Sequence, residues 1–151
     1  MRSVVQRVKT AGVSINNQIY SSINKGLLCL LGISPDDTEE DIKYIIDKIT
    51  NMRIFQDDSD KMNRSVIDID GEVLIVSQFT LYGDARKGRR PSFDKAANGE
   101  TARVIYENFL TALKSVIITD KIKTGIFAEM MEVNLINDGP VTILLDSKRG
   151  F

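Results

Sequence analysis

The chain contains no histidine and a single cysteine among its 151 residues. The absence of histidine excludes Ser-His-Asp and Cys-His triads, His-ligated zinc and the usual proton shuttle near neutral pH. A lone cysteine, Cys29, excludes an intrachain disulfide and paired-cysteine metal sites. Its position inside the apolar run GLLCLLGI favours a small buried hydrophobe. An enzyme with this sequence would have to use hydroxyls, carboxylates, amides, lysines or backbone groups. The chain has no GxxxxGK(S/T) loop and no GxGxxG motif, and we expect no cofactor.

Long apolar runs are also lacking. No stretch approaches the roughly 20 apolar residues of a membrane helix, and the N-terminal MRSVVQRVKTAGVSI alternates polar and apolar residues without the apolar core of a signal peptide. We therefore expect a cytoplasmic protein without a membrane partner. The net charge of −1 and the pI of about 5.5 exclude a generally basic nucleic-acid binder. A local basic cluster does exist in the segment from Arg86 to Arg90.

Hydrophobic periodicity predicts two helices. Thr38 is a suitable N-cap with Asp41 three residues later, and four isoleucines at helical spacing follow up to about Asn51. A second helix is predicted over about 100–116, with Ala102, Ile105, Tyr106, Phe109 and Leu113 on one face. Residues 83–99 read as a loop that carries the basic cluster.

The remaining segments read as strands. The predicted strands are 2–15, a short return through Ile19 and Tyr20 after a turn at Asn16-Asn17, 27–33, and 141–145. A hairpin is predicted from Ile67 to Val76, with its turn at Asp70-Gly71. Alternation around Met131 to Leu135 predicts a further strand, and the chain is expected to reverse at 137–140.

Short hairpin connections favour antiparallel pairing. We therefore predict one α+β domain over residues 1–151. It should be a curved, mostly antiparallel β-sheet or barrel-like unit with two packed helices.

Three segments are candidates for chemistry. Ser77, Gln78, Phe79 and Thr80 form a polar cluster at the end of a very apolar strand, although hydroxyl residues are ordinary in strands. Residues 137–142, NDGPVT, are either a simple turn or, with a cis Gly-Pro bond, a rigid pair of carbonyl acceptors suited to an ammonium group. The basic cluster of Arg86, Lys87, Arg89 and Arg90 is either a solvated loop or a phosphate-binding surface.

Together these segments resemble one family. SQFTLYGD at 77–84 and NDGPVT at 137–142 are similar to the two signature motifs of the D-aminoacyl-tRNA deacylases. MRSVVQRV, DKITNMRIF, DKMNRSV and RKGRRPSF also read as family sequence, so the resemblance covers essentially the whole chain in order. Gly83 stands where many members have alanine, and Ala128 stands where glycine is common. Both residues are small, and little effect is expected.

The resemblance implies a homodimer with two active sites at its interface and a barrel-like α+β fold. It implies hydrolysis of the ester between a D-amino acid and the terminal adenosine of tRNA, removal of mischarged glycine, and no metal. Ser77 to Thr80 would line the adenosine and ester pocket. The second motif would enter the partner's site, with a cis Gly139-Pro140 holding the α-amino group. Its other candidate contacts are Asn137, Val141 and Thr142, and Arg7 would help to fix that loop.

The missing histidine then bears on mechanism. A threonine hydroxyl is a weak nucleophile without an adjacent base. We expect a water nucleophile helped by the substrate's 2′-hydroxyl, with backbone N–H groups near Phe79 and Thr80 holding the oxyanion. Chirality would follow from rejection, because an L side chain would collide with Gly139-Pro140.

Three other interpretations stay open at this point. The chain could be a non-catalytic RNA- or nucleotide-binding module on the same fold. It could be a hydrolase that acts on another ester, with the hydroxyl of Thr80 or Ser77 as the nucleophile. It could also be a purely structural dimer.

Overall fold

The computed structural model describes residues 1–150 and contains a mixed β-sheet, a short hairpin and two α-helices. The strands are β1 (Arg2–Ile15), β2 (Gln18–Ile23), β3 (Gly26–Gly32), β4 (Phe55–Gln56), β5 (Met62–Arg64), β6 (Glu72–Ser77), β7 (Ile122–Thr124) and β8 (Glu132–Asp146). The helices are α1 (Glu39–Asn51) and α2 (Gly99–Lys114), and single 3-10 turns lie at Phe79–Tyr82 and Thr119–Lys121. Both predicted helices and the long first strand are confirmed.

Strand β1 is the centre of the sheet and pairs antiparallel with three strands. Its first half pairs with β3, its second half pairs with β2, and β8 runs along the other side for nearly its whole length. Asn16 and Asn17 both have positive φ, 51° and 62°, which is the conformation of a tight hairpin turn. The predicted turn between β1 and β2 is therefore confirmed.

The predicted hairpin over residues 67–76 is wrong. Residues 66–71 form a closed turn, in which the Gly71 N–H donates to the Val66 carbonyl at 2.9 Å, and only β6 is a strand. Strand β6 pairs parallel with β3 and with β7. The sheet is thus mixed, because β3, β6 and β7 are joined by long connections rather than by short hairpins.

The strands β3 and β6 are buried on both faces. Leu27, Cys29 and Leu31 face the core formed with α1 and α2, whereas Leu28 faces a second core inside the curved sheet. This arrangement explains the continuous apolar run, because a strand covered on both faces needs no polar alternation. The sheet curls nearly closed, and the Ser21 hydroxyl on β2 donates to the Thr124 carbonyl on β7 at 2.7 Å.

Helix α1 begins at a well-defined cap. The Asp41 carboxylate accepts hydrogen bonds from the backbone N–H of Thr38 at 2.8 Å and from its hydroxyl at 2.9 Å. The four isoleucines of the predicted stripe are all buried against the sheet: Ile42, Ile45, Ile46 and Ile49. In residues 1–150 no helix has the length and apolarity to span a membrane.

The predicted chain reversal at 137–140 is also wrong. Strand β8 continues along β1 on both sides of this segment, with Asn137 opposite Val8 and Thr142 opposite Gln6. The four intervening residues, 138–141, face only Arg7 and therefore bulge out of the sheet. The residues typical of turns at 137–140 therefore belong to a bulge within one strand.

Candidate active site

The SQFT segment lies where β6 leaves the sheet. The Gln78 N–H donates to the Leu31 carbonyl at 2.8 Å, and the chain then forms the 3-10 turn at Phe79–Tyr82. The first N–H groups of such a turn have no acceptor within the turn. The backbone N–H groups of Phe79 and Thr80 therefore take no part in the hydrogen bonds of this turn. The Thr80 hydroxyl accepts a hydrogen bond from the Gln78 amide nitrogen at 2.6 Å.

Two residues from elsewhere support this turn. Phe79 is 58% exposed, and its ring packs edge-on against Phe93 with centroids 5.2 Å apart. Arg2 donates to the Leu81 carbonyl at 3.1 Å, and its guanidinium lies 4.7 Å from the centre of the Tyr82 ring. The turn is thus fixed from below by Arg2, while its Phe79-Thr80 edge faces solvent.

A cavity of about 550 Å³ opens beside the SQFT turn. Its walls are mostly apolar, and its polar side chains are those of Ser77, Gln78 and Glu129. The apolar walls come from the ends of β3 and β6, the first turn of α2 and the segment 127–133. A cavity of this volume and polarity is typical of a site for a small organic ligand or nucleoside.

Ala128 lines the cavity in a conformation that is unusual for alanine. Its φ is 62°, in the left-handed region that favours glycine. By the resemblance to the family, glycine is common at this position. The backbone at Ala128 thus has a conformation that suits glycine, although the residue is alanine.

The NDGPVT bulge is anchored by Arg7. The Arg7 side chain is almost fully buried, and its Nε donates to the Asp138 carbonyl at 3.2 Å and lies 3.3 Å from the Asp138 carboxylate. Its Nη1 donates to the Ile54 carbonyl. The Gly139-Pro140 bond is cis and Gly139 has a φ of 116°. A Cβ on Gly139 would lie 2.6 Å from Arg7 Nη2, so no side chain fits there without displacing the arginine.

The remaining residues of the second motif are Val141 within the bulge and Asn137 and Thr142 at its two ends. The Asn137 amide nitrogen is 3.4 Å from the Thr142 hydroxyl, whereas its amide oxygen is buried without a hydrogen-bond partner within residues 1–150. Thr142 is exposed and Val141 is half-buried. The bulge therefore presents backbone and small side chains outward while Arg7 holds it from inside.

One protomer does not bring the two motifs together. No residue of 137–142 lines the cavity. Strand β8 reaches the cavity through Val133, and Gly139 lies six residues further along the same strand. At about 3.3 Å per residue of strand, the separation is on the order of 20 Å.

The basic cluster lies in an exposed loop after the SQFT turn, closed by a bridge between Asp84 and Ser92. Arg86 forms an ion pair with Asp84, because its guanidinium donates hydrogen bonds to the Asp84 carboxylate. These hydrogen bonds hold the pKa of Asp84 well below its usual range. Within residues 1–150 no ion pair involves the other three cluster residues: Lys87, Arg89 and Arg90.

Cys29 is fully buried in β3, and burial raises the pKa of its thiol. It has the role of a core residue, as its position in the sequence predicts. Among residues 1–150 no group of three or more Cys, Asp or Glu side chains is arranged to hold a metal ion.

Several site residues were missed by reasoning from the sequence. Phe127 and Met131 line the cavity and Phe93 packs on Phe79, yet none belongs to a polar cluster or to a helical stripe. The sequence gives little sign of their role, because each reaches the site only through contacts with residues far away in the chain. Only the resemblance around Ala128 pointed to the segment 127–133.

Comparisons with known proteins assign the chain to a family. Residues 4–146, which contain both motifs, match the family described as D-Tyr-tRNA(Tyr) deacylase. The chain belongs to this family. The resemblance drawn from the motifs is thereby confirmed. Relatives named D-aminoacyl-tRNA deacylase are 56% identical in Halothermothrix orenii and 54% identical in Thermosipho africanus, each over 100% of both chains.

Solved structures share the fold of this deacylase-family chain. One titled "c-Myc DNA Unwinding Element Binding Protein" is 42% identical, with a TM-score of 0.93 over 97% of this chain and 98% of that chain. Another, titled "Structural Analysis of a probable eukaryotic D-amino acid tRNA deacylase", has a TM-score of 0.81 at 16% identity, over 95% and 97% of the two chains. The second likeness concerns the fold alone.

Proposed function

We propose that this chain hydrolyses the ester bond of D-aminoacyl-tRNA and releases the free D-amino acid and tRNA. The observation that carries the proposal is the position of the SQFT turn, at the edge of a mostly apolar cavity of about 550 Å³. The names of full-length relatives above 50% identity support the same activity. We also propose that the enzyme works in the cytoplasm and without a metal ion.

The cavity suits the terminal adenosine. Its apolar walls, including the Phe127 ring, offer a surface on which a purine can lie. The carboxylate of Glu129 is an acceptor that matches the amino group of adenine, and the Gln78 amide can bond with the base or the ribose. The ester would then lie at the Phe79-Thr80 edge of the turn.

Chemistry at this edge requires no side-chain nucleophile. The Thr80 hydroxyl accepts a hydrogen bond from the Gln78 amide N–H, and an amide N–H donor cannot remove the proton of the hydroxyl. We infer that a water molecule attacks the ester carbonyl, with the ribose 2′-hydroxyl of the substrate assisting. The N–H groups of Phe79 and Thr80 would stabilise the oxyanion, and Thr80 would position the ester.

The active enzyme is a homodimer in this proposal. A gap on the order of 20 Å between the motifs is too large for one ester to meet both within a protomer. Strand β8 pairs only with β1 in the described residues, and it exposes Leu135, Ile136 and Leu144. A long, apolar edge strand needs a partner to be soluble. A second copy would cover it and carry its bulge to the first copy's cavity.

Chiral selection would come from the bulge. Its outward carbonyls would hold the α-amino group of the substrate, while Arg7 keeps the segment rigid from inside. An L side chain would then collide with Gly139-Pro140, whereas a D side chain would project to solvent. Glycine has no Cβ, so mischarged glycyl-tRNA should also be hydrolysed.

The test compares release of amino acid from D-Tyr-tRNA and from L-Tyr-tRNA in the presence of a chelator. We expect release from the D substrate only. Ala102→Phe, which fills the cavity from α2, should raise KM at least tenfold while the helix keeps its fold. Equal release from both substrates would refute the chiral mechanism, and tight binding of an aminoacyl-adenosine analogue without release would refute the esterase.

The basic loop should contact tRNA phosphates. Each neutralised phosphate steepens the fall of affinity with salt, by about 0.7 to 0.9 in the log–log slope. Replacing Lys87, Arg89 and Arg90 by alanine should flatten that slope by about two units. The double variant Asp84→Asn/Arg86→Ala is the control and should change the slope little, because it removes an ion pair whose net charge is zero. An unchanged slope in the triple variant would exclude this loop from the interface.

A second function is favoured by the likeness to a structure titled as a DNA-element-binding protein. In that case the three free cations of the loop would bind nucleic acid and the cavity would hold a nucleotide without chemistry. Salt-sensitive binding of nucleic acid that carries no amino acid, with no hydrolysis of any aminoacyl ester, would support this alternative.

A further inference from the structure

Arg103 is a cation that lies beside the cavity and belongs to neither motif. It follows Gly99 by one helical turn on α2, so the two residues share a face of the helix. Gly99 lines the cavity, and a Cβ there would meet open space. The Arg103 guanidinium lies 5.0 Å from the centre of the Phe127 ring, which forms part of the cavity wall. Arg103 is therefore placed at the rim of the cavity.

The Phe127 ring lies between Tyr106 and Arg103 and fixes the position of the guanidinium. Phe127 packs against the buried Tyr106, with ring centroids 5.5 Å apart, and thereby presents a fixed surface to the arginine. Stacking on an aromatic ring orients the guanidinium plane and leaves its N–H donors at the edges.

The guanidinium of Arg103 is not neutralised by a carboxylate among residues 1–150. Arg2, Arg7 and Arg86 each form an ion pair with an aspartate, whereas Arg103 forms none in residues 1–150. Its side chain is exposed, and the positive end of the α2 dipole lies one turn away. An anion at this rim would meet a guanidinium fork and a helix N-terminus together.

If the proposed function holds, a nucleoside in the cavity continues through its 5′ oxygen into a phosphodiester. Glu129 in the cavity wall would repel a phosphate, so the phosphate is expected outside the cavity. We propose that Arg103 binds the phosphate on the 5′ side of the nucleoside held in the cavity. Arg103 is then a positioning residue that aligns the ester with the SQFT turn. Its planar fork suits phosphate better than a lysine would.

The test uses two esters that differ only in this phosphate: 2′(3′)-O-D-tyrosyl-adenosine and its 5′-phosphate. The wild type should have a kcat/KM about tenfold higher for the phosphorylated ester, as expected for a charge-assisted contact. Arg103→Ala should bring that ratio close to one, chiefly by lowering kcat/KM for the phosphorylated ester, and Arg103→Lys should restore part of the ratio. Lys114→Ala removes the same charge from the last turn of α2 and should leave the ratio as in the wild type.

Two results would overturn the proposal. Arg103→Ala could lower activity on both esters alike, which would mean that it acts by packing on Phe127. It could also leave the ratio as in the wild type, which would mean that no phosphate lies there. Failure of the esterase itself is distinguishable, because the wild type would then hydrolyse neither ester. Binding of 5′-AMP against adenosine, measured by calorimetry on wild type and Arg103→Ala, would still test the phosphate contact.

Discussion

Replacing Arg7 by methionine should separate the anchoring of the bulge from general stability. The substitution keeps much of the side-chain volume but removes the donors to the carbonyls of Asp138 and Ile54. Hydrogen bonds from a charged donor contribute about 1.5–3 kcal/mol each, and the buried carbonyls would lose their partners. The ion pair adds less, because the Asp138 side chain is a quarter exposed. We expect a loss of about 3–5 kcal/mol in the free energy of unfolding.

The chain offers a matched control in Arg64, which pairs with Asp58 at 2.8 Å on the surface. Arg64→Met removes the same side chain but should cost less than about 1 kcal/mol, since both partners are well exposed. Urea unfolding of both variants measures the difference. Hydrolysis of D-Tyr-tRNA, measured where both variants are folded, should fall at least tenfold in Arg7→Met only.

Equal unfolding free energies for the two variants would refute the assignment of Arg7 as a buried anchor. A destabilised Arg7→Met enzyme with full activity would refute the link between the anchor and catalysis, even if the structural reasoning holds.

Three further predictions concern single residues. Ala128→Gly should stabilise the protein by about 0.5–1 kcal/mol in urea unfolding, because the left-handed conformation costs alanine about 1–2 kcal/mol and glycine adds chain entropy on unfolding. Ala85→Gly, where φ is not positive, should instead destabilise it. Burial alone would raise the Asp41 pKa, but hydrogen bonds from Lys148, Ser147 and Thr38 hold that pKa well below its usual value. The contribution of ionised Asp41 to the free energy of unfolding is therefore full above about pH 4 and is lost as the pH falls further. The difference in unfolding free energy between wild type and Asp41→Asn should then narrow below that pH, and a constant difference would contradict this. Thr80→Ala should keep measurable hydrolysis of D-Tyr-tRNA, and complete loss, or an acyl adduct on Thr80 by mass spectrometry, would make it the nucleophile.

The helices could be predicted because their signals are local. Thr38 and Asp41 sit within one turn, and the isoleucines of α1 repeat at the helical period, so the helix needs no distant partner to be recognised. The strands β1 and β3 were equally clear from alternation and from a continuous apolar run. In each of these cases the residues that carry the sequence signal lie within a few positions of one another.

The errors arose where the partner is distant in the chain. Asp70 does adopt a turn conformation, with a φ of 51°, but β6 then pairs with β3 rather than with the segment before the turn. Likewise the residues around Gly139 have turn chemistry, yet Arg7, about 130 positions earlier, makes them a bulge within β8. The opposite wall of the cavity was not predicted for the same reason, because Phe127 comes close to the SQFT turn only through the fold.

The central claim is that the SQFT turn of one protomer and the bulge of its partner form one active site. Mixed dimers of Ala102→Phe and Gly139→Ala test it most directly, since the first variant blocks the cavity and the second disturbs the bulge. With D-Tyr-tRNA supplied below the KM of the wild type, each homodimer should have little activity. In a random equal mixture, half of the dimers are mixed and each has one intact site, so about a quarter of wild-type activity should return. Verified mixed dimers without activity would contradict the shared site.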